Sequence, residues 1–129
     1  MHNEIKSACE TLSEGGLILY PTDTIWGIGC DATNAAAVDR VYNLKNRADS
    51  KSMLVLVDSV MRLEQYVQQI PEIAYELLEV ADKPLTIIYP GAKNLPENLV
   101  AADGSIGIRL VNDEFCQALI SSFRKPIVS

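Results

Sequence analysis

The chain has 129 residues, a length that suits one domain and leaves no room for a second hydrophobic core. Apolar residues make up 48% of the chain and charged residues 22%, which argues against disorder and against a fibrous repeat. The net charge of −6 disfavours binding of nucleic acids and anionic membranes, unless the eleven basic residues are gathered in one place.

Two features of the composition restrict the chemistry further. The three cysteines are far apart in the sequence, which argues against a disulfide framework and against a thiolate zinc site. His2 is the only histidine, so mechanisms that need a catalytic or metal-binding histidine are nearly excluded. No apolar segment approaches the roughly 20 residues of a membrane span, and the N-terminus is polar, so we expect a soluble, cytoplasmic protein.

Hydrophobic periodicity predicts the elements of the N-terminal half. A helix, two strands, a helix and a third strand are expected at 3–13, 17–20, 25–30, 35–46 and 53–57. Gly15 and Gly16 are expected to end the first helix, and Asn34 is expected to cap the second. The segment 53–57 is apolar throughout, which is typical of a central strand covered on both faces.

The C-terminal half continues the alternation. Two helices, two strands, a helix and a last strand are expected at 60–67, 71–81, 85–89, 105–111, 113–123 and 126–129. Pro71 is expected in the first turn of its helix, and Asn112 is expected to cap the last helix. This order predicts an α/β fold with a mixed sheet. Because the last strand stops at Ser129 without a polar tail, we expect the single domain 1–129 to be truncated at its C-terminal end.

Polar residues separate the first two predicted strands. This connection carries two hydroxyls and a carboxylate, in Thr22, Asp23 and Thr24. Gly27 and Gly29 then leave one face of strand 25–30 bare, while the other face, which begins at Trp26, is expected in the core. A ligand that approaches the glycine backbone would make this segment a pocket floor. The alternative is a strand connection in which Thr22 and Asp23 cap backbone amides.

Basic residues cluster at the end of the second helix. Four of the eleven fall within twelve positions, at Arg40, Lys45, Arg47 and Lys51. A triphosphate needs several cations, and an arginine can grip phosphate oxygens with two parallel hydrogen bonds. The alternative is a solvated turn whose cations complement the C-terminal end of the helix dipole.

Ser105, Gly107 and Arg109 share one face of the predicted strand 105–111. Gly107 leaves space beside the guanidinium, so Arg109 could grip a carboxylate or a phosphate. The alternative is a structural arginine that is paired with Asp103 or Asp113.

Together these segments resemble the YrdC/Sua5 family, the threonylcarbamoyl-AMP synthases. The resemblance runs in order from Lys6 to Ser129. It rests on residues 15–31 (GGLILYPTDTIWGIGCD), on Lys45-x-Arg47 followed by Lys51, on residues 83–88 (KPLTII) and on residues 105–109 (SIGIR). The combination is far more specific than any one motif. It implies a YrdC/RibB-like α/β fold, a twisted open mixed sheet flanked by helices.

The resemblance also implies an activity. Enzymes of this family condense L-threonine, bicarbonate and ATP into threonylcarbamoyl-adenylate, with release of pyrophosphate, for the t6A modification of tRNA adenosine 37. Mg²⁺ on the ATP phosphates is expected without a dedicated protein ligand. Because the reaction needs charge neutralisation and alignment, no catalytic side chain is assigned. The tRNA and the t6A transferase machinery are candidate partners, and no membrane is involved.

Residue roles follow by position from the resemblance. The residues expected to bind ATP are Lys45, Arg47, Lys51 and Ser105. Those expected to bind threonine are Thr24, Arg109 and Ser129. The sequence departs from the family pattern at Ala48, where proline is usual, and at 52–53, where Pro-Leu is common. The family's serine–alanine–asparagine motif would begin just after Ser129 and is absent.

Two other functions stay open at this point. One is a module that binds double-stranded RNA or tRNA through the basic residues, against which the net charge of −6 argues. The other is a relative within the family that uses a different carbamoyl substrate.

Overall fold

The computed structural model describes residues 1–21, 26–48 and 53–129, with side chains throughout except at positions 21 and 46–48. In these ranges the elements are α1 (His2–Ser13), β1 (Ile18–Pro21), β2 (Trp26–Asp31), α2 (Ala35–Ala48), β3 (Val55–Val57), α3 (Val60–Leu63), α4 (Glu72–Val80), β4 (Thr86–Tyr89), β5 (Ile106–Leu110), α5 (Glu114–Phe123) and β6 (Ile127–Val128). The predicted order of helices and strands is confirmed.

The strands form a six-stranded sheet in the order β1-β2-β6-β3-β5-β4. Only the β3–β5 pair is parallel among the described pairings, so the sheet is mixed, as the irregular order predicted. The central position of β3 is confirmed, because Val55, Leu56 and Val57 are all buried between β6 and β5.

Helices cover both faces of the sheet. On one face, Val38 and Val41 of α2 pack with Val55 and Ile108 in a cluster that also includes residues of α3 and α4. On the other face, a second cluster joins α1 and α5 to the sheet. Its buried members include Ile5, Leu12, Tyr20, Leu56, Leu119 and Ile127. The layers are therefore helix, sheet and helix, the arrangement of an α/β domain.

Local sequence accounts for most of the element boundaries. Gly15 adopts a φ of +80°, which only glycine adopts without strain, and α1 ends just before it. The Asn34 side chain accepts a hydrogen bond from the Ala37 amide at 3.1 Å and so caps α2, as predicted.

Three predicted boundaries are wrong. Asp113, not Asn112, caps α5, where its carboxylate accepts from the Cys116 amide at 3.0 Å. Pro71 is the N-cap residue of α4 and lies outside its first turn. The helix predicted over 60–67 ends at Leu63, because Val67 pairs with Ala92 in an isolated antiparallel bridge. Among the described residues no helix is both long and apolar enough to cross a bilayer.

Candidate functional site

The pairing register gathers the candidate residues on one face of the sheet. Thr86 pairs with Arg109 and Ile88 pairs with Gly107, so these four side-chain positions share one face. We call it the site face. Leu56 pairs with Arg109 across the parallel β3–β5 ladder, so the site face is continuous with the layer that α1 and α5 cover.

A cavity of about 530 Å³ lies at the Gly107 end of the site face. It is lined by Tyr42, Met53, Leu54, Thr86, Ile88, Leu99, Val100, Ala101, Ser105, Ile106 and Gly107. Its wall is largely apolar, and Ile88 contributes a side chain that is 72% exposed. An apolar wall with a few polar groups at one edge suits a small organic ligand.

Ser105 stands at the rim of this cavity and is held by Asp103. Its hydroxyl donates to Asp103 Oδ1 at 2.6 Å, and its backbone amide donates to the same oxygen at 3.0 Å. These two bonds lower the pKa of the Asp103 carboxyl. The Ser105 hydroxyl keeps its acceptor lone pairs for a ligand, because it acts as the donor in this contact.

Gly107 opens the floor of the cavity. A Cβ atom at this position would lie 3.4 Å from Leu54 Cδ2 and 3.6 Å from Thr86 Cγ2, which are ordinary van der Waals distances. Packing therefore does not demand glycine at this position. What a side chain would do is occupy the space between Arg109 and Ser105.

Arg109 is held from the neighbouring strand. Its Nε donates a hydrogen bond to Thr86 Oγ1 at 3.1 Å across the β4–β5 pair. Of the two carboxylates considered as its ion-pair partners, Asp103 accepts from Ser105 through Oδ1, and Asp113 caps α5 through Oδ2.

Ser129 also lies at this end of the sheet. Its amide donates to the Leu54 carbonyl at 2.8 Å, and its carbonyl accepts from the Leu54 amide at 3.1 Å. Because the β3–β6 register pairs Leu56 with Ile127, Ser129 continues the ladder opposite Leu54 and faces the same way. Ser129 is thus two strands from Gly107, roughly 10 Å away at the usual strand spacing.

The expected bare glycine face of β2 is wrong at Gly29. A Cβ atom there would lie 2.6 Å from Tyr20 Cε1 and 2.8 Å from the Val128 carbonyl oxygen, so the Tyr20 ring covers this glycine. The opposite expectation for Trp26 is also wrong, because this side chain is 66% exposed and not in the core. Gly27 pairs with Tyr20 in the β1–β2 ladder and is partly buried.

Arg40 and Lys45, two basic residues of α2, have different surroundings. Arg40 donates from Nη2 to the Gly15 carbonyl and so fastens α2 to the turn after α1. Lys45 lies one turn after Tyr42, a residue of the cavity wall. Burial raises the pKa of the Cys30 thiol to about 12, Asp31 adds to the rise, and Arg40 and Lys45 oppose it. Lys45 is therefore near β2.

Several predicted site residues fall outside the described part of the chain. These are Thr22, Asp23, Thr24, Lys51 and the side chain of Arg47, whose backbone belongs to α2. Within the described ranges, no group of three or more His, Cys, Asp or Glu side chains is arranged to hold a metal ion.

Sequence reasoning missed Thr86, Leu54 and Ile88 as parts of the site. The alternation within β4 already places Thr86 and Ile88 on one face, but the partner of that face depends on the β4–β5 register. A second, wider groove of about 590 Å³ lies between α1 and α5, lined by residues that include Ile5, Cys9 and Ser122. It contains none of the predicted site residues.

Comparisons with known proteins show the family of this chain. The Sua5, YciO and YrdC family model, described as "Telomere recombination", matches residues 10–129. Threonylcarbamoyl-AMP synthase of Hydrogenovibrio crunogenus is 30% identical over 129 residues, which are 97% of this chain and 69% of that protein. The enzyme of the same name from Pseudoalteromonas translucida is 33% identical over 128 residues, 97% of this chain and 68% of that protein.

Two solved structures share the fold. The crystal structure of P. abyssi Sua5 complexed with L-threonine superposes with a TM-score of 0.90 at 27% identity. It covers 99% of this chain, which spans 38% of the Sua5 chain. The crystal structure of E. coli YciO gives a TM-score of 0.86 at 25% identity and covers the whole of this chain, which spans 64% of YciO. The twisted mixed sheet implied by the sequence motifs is thereby confirmed, and the chain belongs to the Sua5/YciO/YrdC family.

Proposed function

We propose that this chain carries the site of an L-threonylcarbamoyladenylate synthase, which forms threonylcarbamoyl-AMP and pyrophosphate from L-threonine, bicarbonate and ATP. The observation that carries the proposal is the site face, on which Arg109 stands beside an open cavity that Gly107 and Ser105 border. Family relatives that bear the name of this enzyme, and a Sua5 structure that holds L-threonine, support the same assignment.

The site face divides naturally between two substrates. A guanidinium held on a strand suits the carboxylate of an amino acid, which it can grip with two hydrogen bonds. An apolar wall of Tyr42, Leu54 and Ile88, with a serine hydroxyl at its rim, suits a nucleoside. Arg109 is therefore proposed for the threonine carboxylate, together with Ser129 and Thr24. Ser105 is proposed to face the nucleotide.

The triphosphate is proposed to bind the basic cluster at the end of α2. Lys45, Arg47 and Lys51 supply up to three positive charges there, against a chain whose net charge is −6. Mg²⁺, carried on the phosphate oxygens and water, would neutralise further charge in the leaving pyrophosphate. Thr22 and Asp23, with Gly27, are proposed to border the threonine side.

The reaction fits such a site because it needs no histidine. The threonine amine adds to CO₂ derived from bicarbonate and loses a proton, which gives a carbamate. A carbamate oxygen then attacks the α-phosphorus of ATP in line, and the bond to the β-phosphate oxygen breaks to release pyrophosphate. Alignment of the two bound substrates and stabilisation of the phosphate charge supply the catalysis. The product would pass to the t6A transferase machinery for tRNA.

Pyrophosphate release tests the proposal. The purified protein is incubated with ATP, bicarbonate and Mg²⁺, and each of the twenty amino acids is added in turn. We expect release with L-threonine, and we expect it to fall to background when bicarbonate or threonine is omitted. Release with a different carbamoyl acceptor would identify a relative with another substrate. If none of the amino acids leads to pyrophosphate release, and if the logarithm of the RNA-binding constant falls linearly with the logarithm of the salt concentration, the RNA-binding module is favoured.

A further inference from the structure

Thr86 contacts Arg109 and also lines the cavity beside Gly107. Its hydroxyl accepts the hydrogen bond from Arg109 Nε at 3.1 Å. Its methyl carbon lies 3.6 Å from the place where a Cβ of residue 107 would be, and the residue lines the cavity. The side chain therefore points one chemical group at the guanidinium and another at the cavity floor.

The strand pairing fixes this arrangement. Thr86 and Arg109 are direct cross-strand partners in the antiparallel β4–β5 ladder, where opposite Cβ atoms are about 5 Å apart. A β-branched threonine on a strand has few χ1 rotamers. Its hydroxyl is therefore a rigid acceptor for the Nε of the long Arg109 side chain.

We propose that Thr86 is a positioning residue for Arg109 and thereby raises the affinity of the site for the carboxylate of threonine. The inference rests on the proposed function for the identity of that carboxylate. With Nε donated to Thr86, a carboxylate that binds with two parallel hydrogen bonds would use Nη1 and Nη2. The hydroxyl of Thr86 thus selects the edge of the guanidinium that meets the carboxylate.

Two variants separate the hydroxyl from the methyl group. Thr86→Val keeps the branched shape and a strong strand preference but loses the acceptor for Arg109 Nε. Thr86→Ser keeps the acceptor and loses the methyl. Ile87→Val is the matched control, because Ile87 lies on the same strand and packs against the opposite core cluster. All three are measured by calorimetric titration with L-threonine and, separately, with ATP.

We expect Thr86→Val to raise the Kd for L-threonine about tenfold and to change the Kd for ATP less than about twofold. The substitution removes the hydrogen bond between residue 86 and Arg109, and Arg109 is proposed to bind threonine and not ATP. Thr86→Ser and Ile87→Val should bind threonine like the wild type. Equal threonine affinity in Thr86→Val and the wild type would overturn the proposal. An equal loss in Thr86→Val and Thr86→Ser, or an equal loss of threonine and ATP binding, would assign Thr86 a packing role and overturn it as well.

A readout that needs no ligand separates this proposal from the proposed function. The ¹⁵N-bound Nε proton of Arg109, assigned by its disappearance in Arg109→Lys, should exchange with solvent at least tenfold faster in Thr86→Val than in the wild type and Thr86→Ser. A wild type that binds no threonine contradicts the proposed function. Equal Nε exchange in the wild type and Thr86→Val overturns the positioning role, whichever ligand the site takes.

Discussion

Gly29 and Gly107 are both strand glycines, yet their surroundings differ. The Tyr20 ring and the Val128 carbonyl fill the space beside Gly29, whereas only ordinary contacts await a Cβ at Gly107. The first glycine is thus required by packing between β1, β2 and β6. The second is available to serve a ligand.

The matched pair Gly29→Ala and Gly107→Ala tests this distinction. Gly29→Ala should lower the free energy of unfolding by about 1–3 kcal/mol, because its methyl group overpacks against a buried ring and a carbonyl. Gly107→Ala should leave it unchanged or raise it slightly, since alanine loses less backbone entropy in a strand. Urea unfolding followed by circular dichroism measures both. Equal destabilisation by the two substitutions would contradict the assignment.

A larger side chain at position 107 tests the ligand role. Gly107→Leu should weaken ATP binding by at least tenfold, because the side chain would enter the cavity between Arg109 and Ser105. Titration calorimetry measures the affinity, and Gly107→Ala serves as the control for the backbone change. If Gly107→Leu folds and binds ATP as well as the wild type, the cavity does not hold the nucleotide.

Arg109 should not tolerate a lysine. An ammonium group cannot reproduce two parallel hydrogen bonds to a carboxylate, nor the Nε contact with Thr86. We expect Arg109→Lys to weaken threonine binding about ten- to a hundredfold, with little change in ATP affinity. Should the substitution lower the melting temperature and leave threonine affinity intact, Arg109 would be a structural residue.

Among the elements, the sequence predicted the order of the helices and strands and most of their approximate bounds, because each carries its own hydrophobic periodicity. It missed what depends on tertiary partners. The end of α3 is set by the Val67–Ala92 bridge, and the cover over Gly29 comes from Tyr20 on another strand. The pairing of Thr86 with Arg109, which are 23 residues apart in sequence, likewise needs the register of two strands. The alternation within one strand shows which side chains share a face, but it does not identify the partner strand.

Two buried groups, one in each core cluster, should make the stability of the fold depend on alkaline pH. Burial raises the pKa of the Cys30 thiol from an ordinary 9.0 to about 12, and that of Tyr20 rises above its ordinary 10.0. The unfolded chain therefore releases these protons first as the pH rises. The stabilisation that comes from keeping these two groups neutral is fully present below pH 9 and should decrease between about pH 9 and 12.

Unfolding free energies at pH 8 and pH 10.5 test this expectation. The wild type should lose up to about 1.4 kcal/mol per pH unit for each buried group that ionises only on unfolding. Cys30→Ala should reduce the slope, because one such group is gone, whereas Cys9→Ala should change it less, since Cys9 is only partly buried. Identical slopes in the wild type and Cys30→Ala would contradict the burial of a neutral thiol.

For the whole molecule, function depends on where the substrates bind. Motif resemblance indicated the family and the type of reaction from the sequence, and the fold brings Ser105, Gly107, Arg109 and Ser129 to one end of the sheet. The net charge of −6 does not indicate where the substrates bind, because the acidic residues of the whole chain outnumber the basic residues clustered at 40–51. The groove of about 590 Å³ between α1 and α5 is the alternative site for a small ligand.

Nuclear magnetic resonance titration of the ¹⁵N-labelled protein decides between these two places. L-threonine should shift the Nε resonance of Arg109 and the amide of Ser129, and ATP should shift the amides of Ser105 and Gly107. The amide resonances of Ile5, Cys9 and Ser122, in the groove between α1 and α5, should not shift. Shifts confined to that groove, with Arg109 and Gly107 unmoved by either substrate, would contradict the account.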